Sequence, residues 1–241
     1  MDAKIGNIVV THRNGKAIEI NALWYNALKI MESFANLYKE KELSKKYAEL
    51  AKKCKESFIK KFYNKKRKCF DDLVDDNSIR PNQLFAIGLH YPVVEPNSVE
   101  AKTAFETVTK KLLTPYGLKT LAKGEKCYRE IYEGDQIKRD MSYHQGITWP
   151  WLLGIYSDSF LNIISAEKNK TKKKELEEQY SKFAQNVEDT FYNEMYNRST
   201  VGSISELYDS AKPYEAKGAF AQAWSVAEVF RIIEKRNKWE S

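Results

Sequence analysis

Cysteine is scarce and unpatterned: Cys54, Cys69 and Cys127 are odd in number and widely spaced. They form neither a disulfide framework nor a zinc-ligand spacing, which points to a reducing, cytoplasmic compartment. The three histidines, His12, His90 and His144, are isolated from one another. No His-x-x-x-His or Cys-x-x-Cys pair is present, so no metal site is expected. A Gly-x-Ser-x-Gly elbow for a serine nucleophile is also missing. No apolar run approaches the ~20 residues of a membrane span. No apolar core follows Met1-Asp2-Ala3-Lys4, as a signal peptide would require. Neither a heptad nor a solenoid period runs through the chain.

What is present suits a globular protein. At 241 residues, with 42% hydrophobic and 30% charged residues, the chain can bury a substantial core as one domain. Its net charge is +7, which raises nucleic-acid binding as a possibility. The lysines alternate with acids, however, as in Lys39-Glu40-Lys41-Glu42 and Lys172-Lys173-Lys174-Glu175. Such runs read as solvated helix surface, and no groove-reading motif accompanies them, so no nucleic-acid partner is expected.

Periodicity predicts a mainly helical chain. Leu23, Ala27, Ile30, Phe34 and Leu37 recur at spacings of three and four, predicting one apolar face on a helix over 19–38. Ser44 is placed to cap a second helix through Tyr63, and a short hairpin is expected at Cys69–Val74. Short apolar and amphipathic helices follow over 84–89 and 98–112. Residues 118–142 lack helical periodicity and read as a long polar loop, a common location for function. A helix is expected from near His144 to Phe160, with Pro150 favouring a later start. Two further helices cover 175–195 and 218–234, for roughly seven or eight in all.

The unusual residues lie between those helices. Three stretches combine amides, carboxylates, Arg and Trp: Glu19 to Tyr25, with Asn21 and Trp24; Arg80-Pro81-Asn82-Gln83; and Arg139 to Trp151, with Asp140, Tyr143, His144, Gln145 and Trp149. Sugars need two-way hydrogen-bonding partners for their hydroxyls and aromatic faces for their C–H surfaces. The same Trp residues would also serve as core, and the polar ones as helix caps. Hydrolysis of a glycosidic bond needs two carboxyl groups. Asp2, Glu19, Asp135, Asp140, Glu206 and Asp209 lie outside the charged helix faces, and composition alone does not choose a pair.

Seven blocks, in order, resemble a known family. They are Met1-Asp2-Ala3-Lys4, Ala17 to Asn26, Arg80 to Ile87, Leu113 to Leu118, Tyr143-His144-Gln145-Gly146 with Trp149-Pro150-Trp151, Gly202-Ser203-Ile204-Ser205-Glu206, and Ala221 to Glu228 with Gln222 and Trp224. The chain resembles the C-terminal glucosidase domain of glycogen debranching enzymes. That resemblance implies an all-α (α/α)6 barrel of glucoamylase-like type, a site in the loops at one end, and inverting release of glucose from α-1,6-linked stubs. It maps the general acid onto Asp2 and the general base onto Glu206. Glu19, Asn21, Trp24, Asn82, Gln83, Arg139, Asp140, Tyr143, His144, Gln145, Trp149, Gln222 and Trp224 would then shape the sugar subsite, with an α-glucan as substrate and no metal or cofactor. The helices are fewer than a full barrel holds. Residues 1–241 are therefore expected to be the C-terminal part of one such domain, with an exposed apolar face open to self-association or to pairing with the missing N-terminal part. A glucan-binding fragment without turnover is the alternative.

Overall fold

A computed structural model describes residues 4–240. Among them are eight α-helices: α1 (Ile18–Leu37), α2 (Lys41–Phe62), α3 (Phe85–Gly88), α4 (Val99–Leu112), α5 (Gln136–Ser142), α6 (Leu152–Ala166), α7 (Lys170–Asn193) and α8 (Ala223–Glu240). The expected all-α class, with seven or eight helices, agrees with this order. Three helices begin on side-chain caps: Ser98 accepts from the Ala101 N–H, Asp135 from Lys138 and Asn169 from Lys172. Each satisfies an N–H that a helix start leaves unpaired. Ser44 is not such a cap, because α2 already begins at Lys41; its hydroxyl instead donates to Asn36 Oδ1 at 2.7 Å.

The central element is α6. It is apolar on nearly all sides, as a helix surrounded by protein should be, and it packs against α3, α4, α7 and α8. Its two buried serines are satisfied: Ser157 Oγ lies 2.9 Å from the Tyr180 hydroxyl, and Ser159 Oγ donates to the Leu84 carbonyl at 3.1 Å. The helix expected from His144 starts only at Leu152. Before it, Thr148–Trp149 form a short strand, too brief for any period to show in the sequence.

That strand is the middle of a small antiparallel sheet. It comprises β5 (Leu113–Thr114), β6 (Gly117–Lys119), β7 (Thr148–Trp149), β8 (Leu207–Tyr208) and β9 (Ala216–Lys217), hydrogen-bonded in that order. Leu118 pairs with Trp149, Thr148 with Tyr208, and Tyr208 with Ala216. Two-stranded pairs lie earlier in the chain, β1 (Lys4–Ile5) with β2 (Ile8–Val9) and β3 (Tyr63–Asn64) with β4 (Cys69–Phe70). The second replaces the hairpin expected at Cys69–Val74. The supposed loop over 118–142 contains α5 and part of β6.

On α1 the buried side is Ile18, Ala22, Tyr25, Leu28 and Ala35. The face predicted from Leu23, Phe34 and Leu37 is instead exposed, together with Ile20, Trp24 and Met31. This helix has two apolar faces, and spacing alone does not say which one meets the core. Leu37 is 72% exposed, so the outward face is not a marginal case.

Candidate active site

The glycine-opened segment before β8 is reached through a π-turn, Glu194–Arg198, that ends α7. Gly202 N–H then donates to the Met195 carbonyl at 2.9 Å, folding the loop back onto that turn. Three further bonds fix the backbone beyond it: Glu206 N–H to Ala219 O, Gln222 N–H to Ile204 O, and Asp209 N–H to Glu215 O, each at 2.9 Å. Glu206 therefore sits one residue ahead of a strand, on backbone tied to the segment that leads into α8.

Both oxygens of the Glu206 carboxylate are occupied by donors. The Tyr143 hydroxyl donates to Oε1 at 2.5 Å, and the Ala219 N–H donates to Oε2 at 3.0 Å. Burial pushes the Tyr143 phenol well above its usual range, and the hydrogen bond and charge of Glu206 push it further. It therefore stays protonated and remains a donor at working pH. Gly218 makes room for the carboxylate: at φ +71, a Cβ there would lie 2.4 Å from Glu206 Oε2. Behind Tyr143, the buried Trp149 donates its indole N–H to the Tyr143 carbonyl at 3.2 Å. Its ring meets that of Tyr143 edge-on at 4.9 Å.

Glu206 opens onto a cleft of about 810 Å³, also lined by Tyr132, Arg139, Asp140, Tyr143 and Lys217. The volume lies within the range of small-molecule sites. Arg139 and Asp140 come from α5, Tyr143 follows it directly, and Lys217 comes from β9. Asp209 does not face this space. It is buried, accepts the Tyr132 N–H at 2.7 Å and lies 3.8 Å from Lys217 Nζ. Burial holds its carboxyl above the ordinary value despite both partners. Its work is to hold the Tyr132 wall.

The other expected sugar-binding residues fall into separate groups. His144 stacks on Trp149 at 5.3 Å, with its carbonyl held by Arg80. Trp224, 46% exposed, stacks on Trp151 at 5.3 Å and meets Trp149 at 6.1 Å, so it belongs to the same aromatic cluster. Gln222 is half-buried beside it. Trp24 is exposed on the outward face of α1. Asp2 lies outside the described residues.

Glu19 and Asn82 join a buried charge cluster with Arg13 and Asp72, which the sequence did not single out, while Asn21 and Gln83 bond to backbone groups nearby. Arg13 grips both carboxylates, with contacts of 2.6 and 2.7 Å to Glu19 and 2.7 and 3.0 Å to Asp72. Burial works to raise the Glu19 carboxyl, but Arg13 outweighs it, helped by Asn82, and the group stays below its ordinary value. Asn21 Nδ2 donates to the Ala17 carbonyl at 2.7 Å. The Gln83 side chain is buried and spans the Phe70 N–H and the Arg80 carbonyl. Arg80 Nε lies 3.5 Å from Asp72 Oδ2, and its guanidinium also donates to the Thr120 and His144 carbonyls and to Gln145 Oε1, from which Gln145 reaches on to the Val10 carbonyl.

Tyr132, Lys217 and the Ala219 N–H are the parts of the site that sequence reasoning missed. The last is a backbone group and carries no residue-type signal. Among the described residues, no cluster of three or more His, Cys, Asp or Glu side chains is arranged to hold a metal ion, and no helix is long and apolar enough to cross a membrane.

Comparison with known proteins bears on the chemistry. Residues 1–231 match the family model described as amylo-alpha-1,6-glucosidase. A glycogen debranching enzyme of Saccharomyces cerevisiae is 26% identical over an alignment covering 65% of this chain and 13% of that protein. A solved chain titled "Sialidase" superposes with a TM-score of 0.68 at 16% identity, covering 96% of this chain and 20% of that one. At that identity the likeness is one of fold. The chain thus spans a small part of the length of either relative.

Proposed function

The chain belongs to the amylo-alpha-1,6-glucosidase family, and on that premise we propose that it hydrolyses α-1,6-glucosidic branch stubs in glycogen-like glucans with inversion. Residues 1–241 would be the C-terminal part of one (α/α)6 glucosidase domain, working in the cytoplasm on glycogen or branched maltodextrin. Glu206 is the general base and Asp2 the general acid. The observation that carries this reading is a carboxylate at a cleft wall, held on both oxygens by the Tyr143 hydroxyl and the Ala219 N–H.

The chemistry rests on that hold. A base needs a fixed direction and an available lone pair. Each carboxylate oxygen accepts more than one bond, so the two donors orient Glu206 without exhausting it. A water on its open side can be deprotonated while it attacks the anomeric carbon. The acid on the opposite face of the sugar protonates the leaving oxygen. An inverting pair stands ~6.5–9.5 Å apart to leave room for that water. Arg139, Asp140 and Lys217 supply hydrogen-bonding partners for sugar hydroxyls, while Tyr132 and Tyr143, which line the same cleft, supply ring faces.

The test is glucose release from a branched dextrin by the wild-type chain and by Glu206→Gln. Loss of a general base costs about 10²–10⁴-fold. Release that falls by this amount while maltohexaose affinity persists supports the reading. Undiminished release removes Glu206 from the role. A second reading, a glucan-binding fragment without turnover, draws on the chain spanning 13% of its yeast relative. It is favoured if the wild-type chain binds glucan and releases no glucose.

A further inference from the structure

A second cavity lies away from Glu206, between α4, α6 and α7. Its volume is about 510 Å³, and it shares no lining residue with the cleft. The floor is aromatic. Phe105 and Tyr156 stack with centroids 4.7 Å apart, Phe160 lies 5.1 Å from Phe105, and Phe183 lies 5.0 Å from Tyr156. Tyr156 is held by its hydroxyl, 2.9 Å from Thr109 Oγ1. These rings are therefore fixed by the core and are not loose surface groups.

The rim is basic. Lys102, Lys110, Lys172 and Lys182 line the cavity against one acid, Glu106. Lys102 is engaged with Glu167 at 2.9 Å, whereas Lys110, Lys172 and Lys182 have no ion-pair partner among the described residues. The start of α7 adds to this excess. Lys170, Lys172, Lys173 and Lys174 crowd its first turns, and its first turn carries no acid. A helix N-terminus bears partial positive charge, so cations there repel it and an anion relieves both.

From this combination we infer that the cavity between α4, α6 and α7 binds an amphipathic anion: an acyl chain lies on the Phe105, Tyr156, Phe160 and Phe183 floor, with its carboxylate among Lys110, Lys172 and Lys182. A glucan fits less well. Sugar hydroxyls need two-way hydrogen-bonding partners, and apart from Thr109, Gln179 and Asn186 the polar lining is charged. An acyl chain needs only apolar contact and a counter-charge at one end.

The test is calorimetric titration of the whole chain with dodecanoate at low salt. Binding tighter than about 100 μM is expected. The triple variant Lys110→Gln, Lys172→Gln, Lys182→Gln should weaken it at least about tenfold, one charge-assisted contact's worth, and dodecyltrimethylammonium and maltohexaose should not displace it. These lysines are on the rim, so the variant's helical circular dichroism should match the wild type. Absence of binding overturns the proposal. So does unchanged affinity in the triple variant, which would move the chain to another apolar surface. Displacement by maltohexaose would make the cavity a sugar site and also overturn it.

Discussion

Tyr143 and Glu206, 63 positions apart in sequence, share a 2.5 Å hydrogen bond in which the phenol donates to the carboxylate. The small sheet brings them together. Tyr143 lies shortly before β7 and Glu206 immediately before β8, and these strands pair through Thr148 and Tyr208. The bond thus depends on one strand register.

Tyr143→Phe keeps the ring and removes the donor. A hydrogen bond to a charged group contributes about 1.5–3 kcal/mol, equivalent to about ten- to a hundredfold in rate. The loss should appear in kcat with KM little changed, and the thermal midpoint should stay within a few degrees. Glucose-release kinetics beside a melting curve decide it. An equal fall in stability and rate would mark the tyrosine as structural only.

Gly218→Ala should damage the site in two ways. The backbone is at φ +71, and the new Cβ would lie 2.4 Å from Glu206 Oε2. A non-glycine residue in left-handed backbone costs about 1–2 kcal/mol. Gly202→Ala is the control, since it has φ +75 but open space around its Cβ. Both variants should melt lower by similar amounts. Only Gly218→Ala should lose most of its glucose release.

Glu167, between α6 and α7, is held below the ordinary carboxylate range. The Asn169 N–H and Lys102 hold its carboxyl down to about 2 from an ordinary 4.5. A folded-state value below the unfolded one means stability that is present above the unfolded value and lost as pH falls through the folded one. The melting gap between wild type and Glu167→Gln should therefore be full above about pH 5 and close toward pH 2. A gap independent of pH would show that the charge contributes nothing.

The outward face of α1 predicts association. Ile20, Leu23, Trp24, Met31, Phe34 and Leu37 are exposed along one helix, and contiguous apolar patches of this kind mark interfaces. Sedimentation at rising concentration should show self-association. Changing Leu23, Phe34 and Leu37 to Ser should abolish it with little loss of thermal stability. A wild-type chain that stays monomeric throughout would refute this.

Much of this was legible in the sequence, for identifiable reasons. Long helices such as α2 and α7 announce themselves by period, although the start of α7 at Lys170 reads as a surface connection. Glu206 stood out because a glycine-opened loop and its neighbouring blocks match a family pattern. What failed to show were features without a periodic or residue-type signal. Strands of two residues have no period, so Thr148–Trp149 was absorbed into a helix. Arg13 and Asp72 are 59 positions apart, and nothing local in the chain announces their pairing. On α1 the pattern revealed apolar faces but not which one the core would take.

The region crosslinked by Arg80 and the α5 side of the cleft should differ in how often they open. Gly146 N–H donates to Thr120 Oγ1 at 3.0 Å and Thr120 N–H donates to the Ile147 carbonyl at 3.1 Å, beside the guanidinium that spans Thr120, His144 and Gln145. These amides can meet solvent deuterium only when the core itself opens. The α5 side of the cleft, over residues 133–139, is exposed along its whole length and should exchange early. Hydrogen exchange should therefore separate a late-opening region around Arg80 from an early-opening segment over residues 133–139.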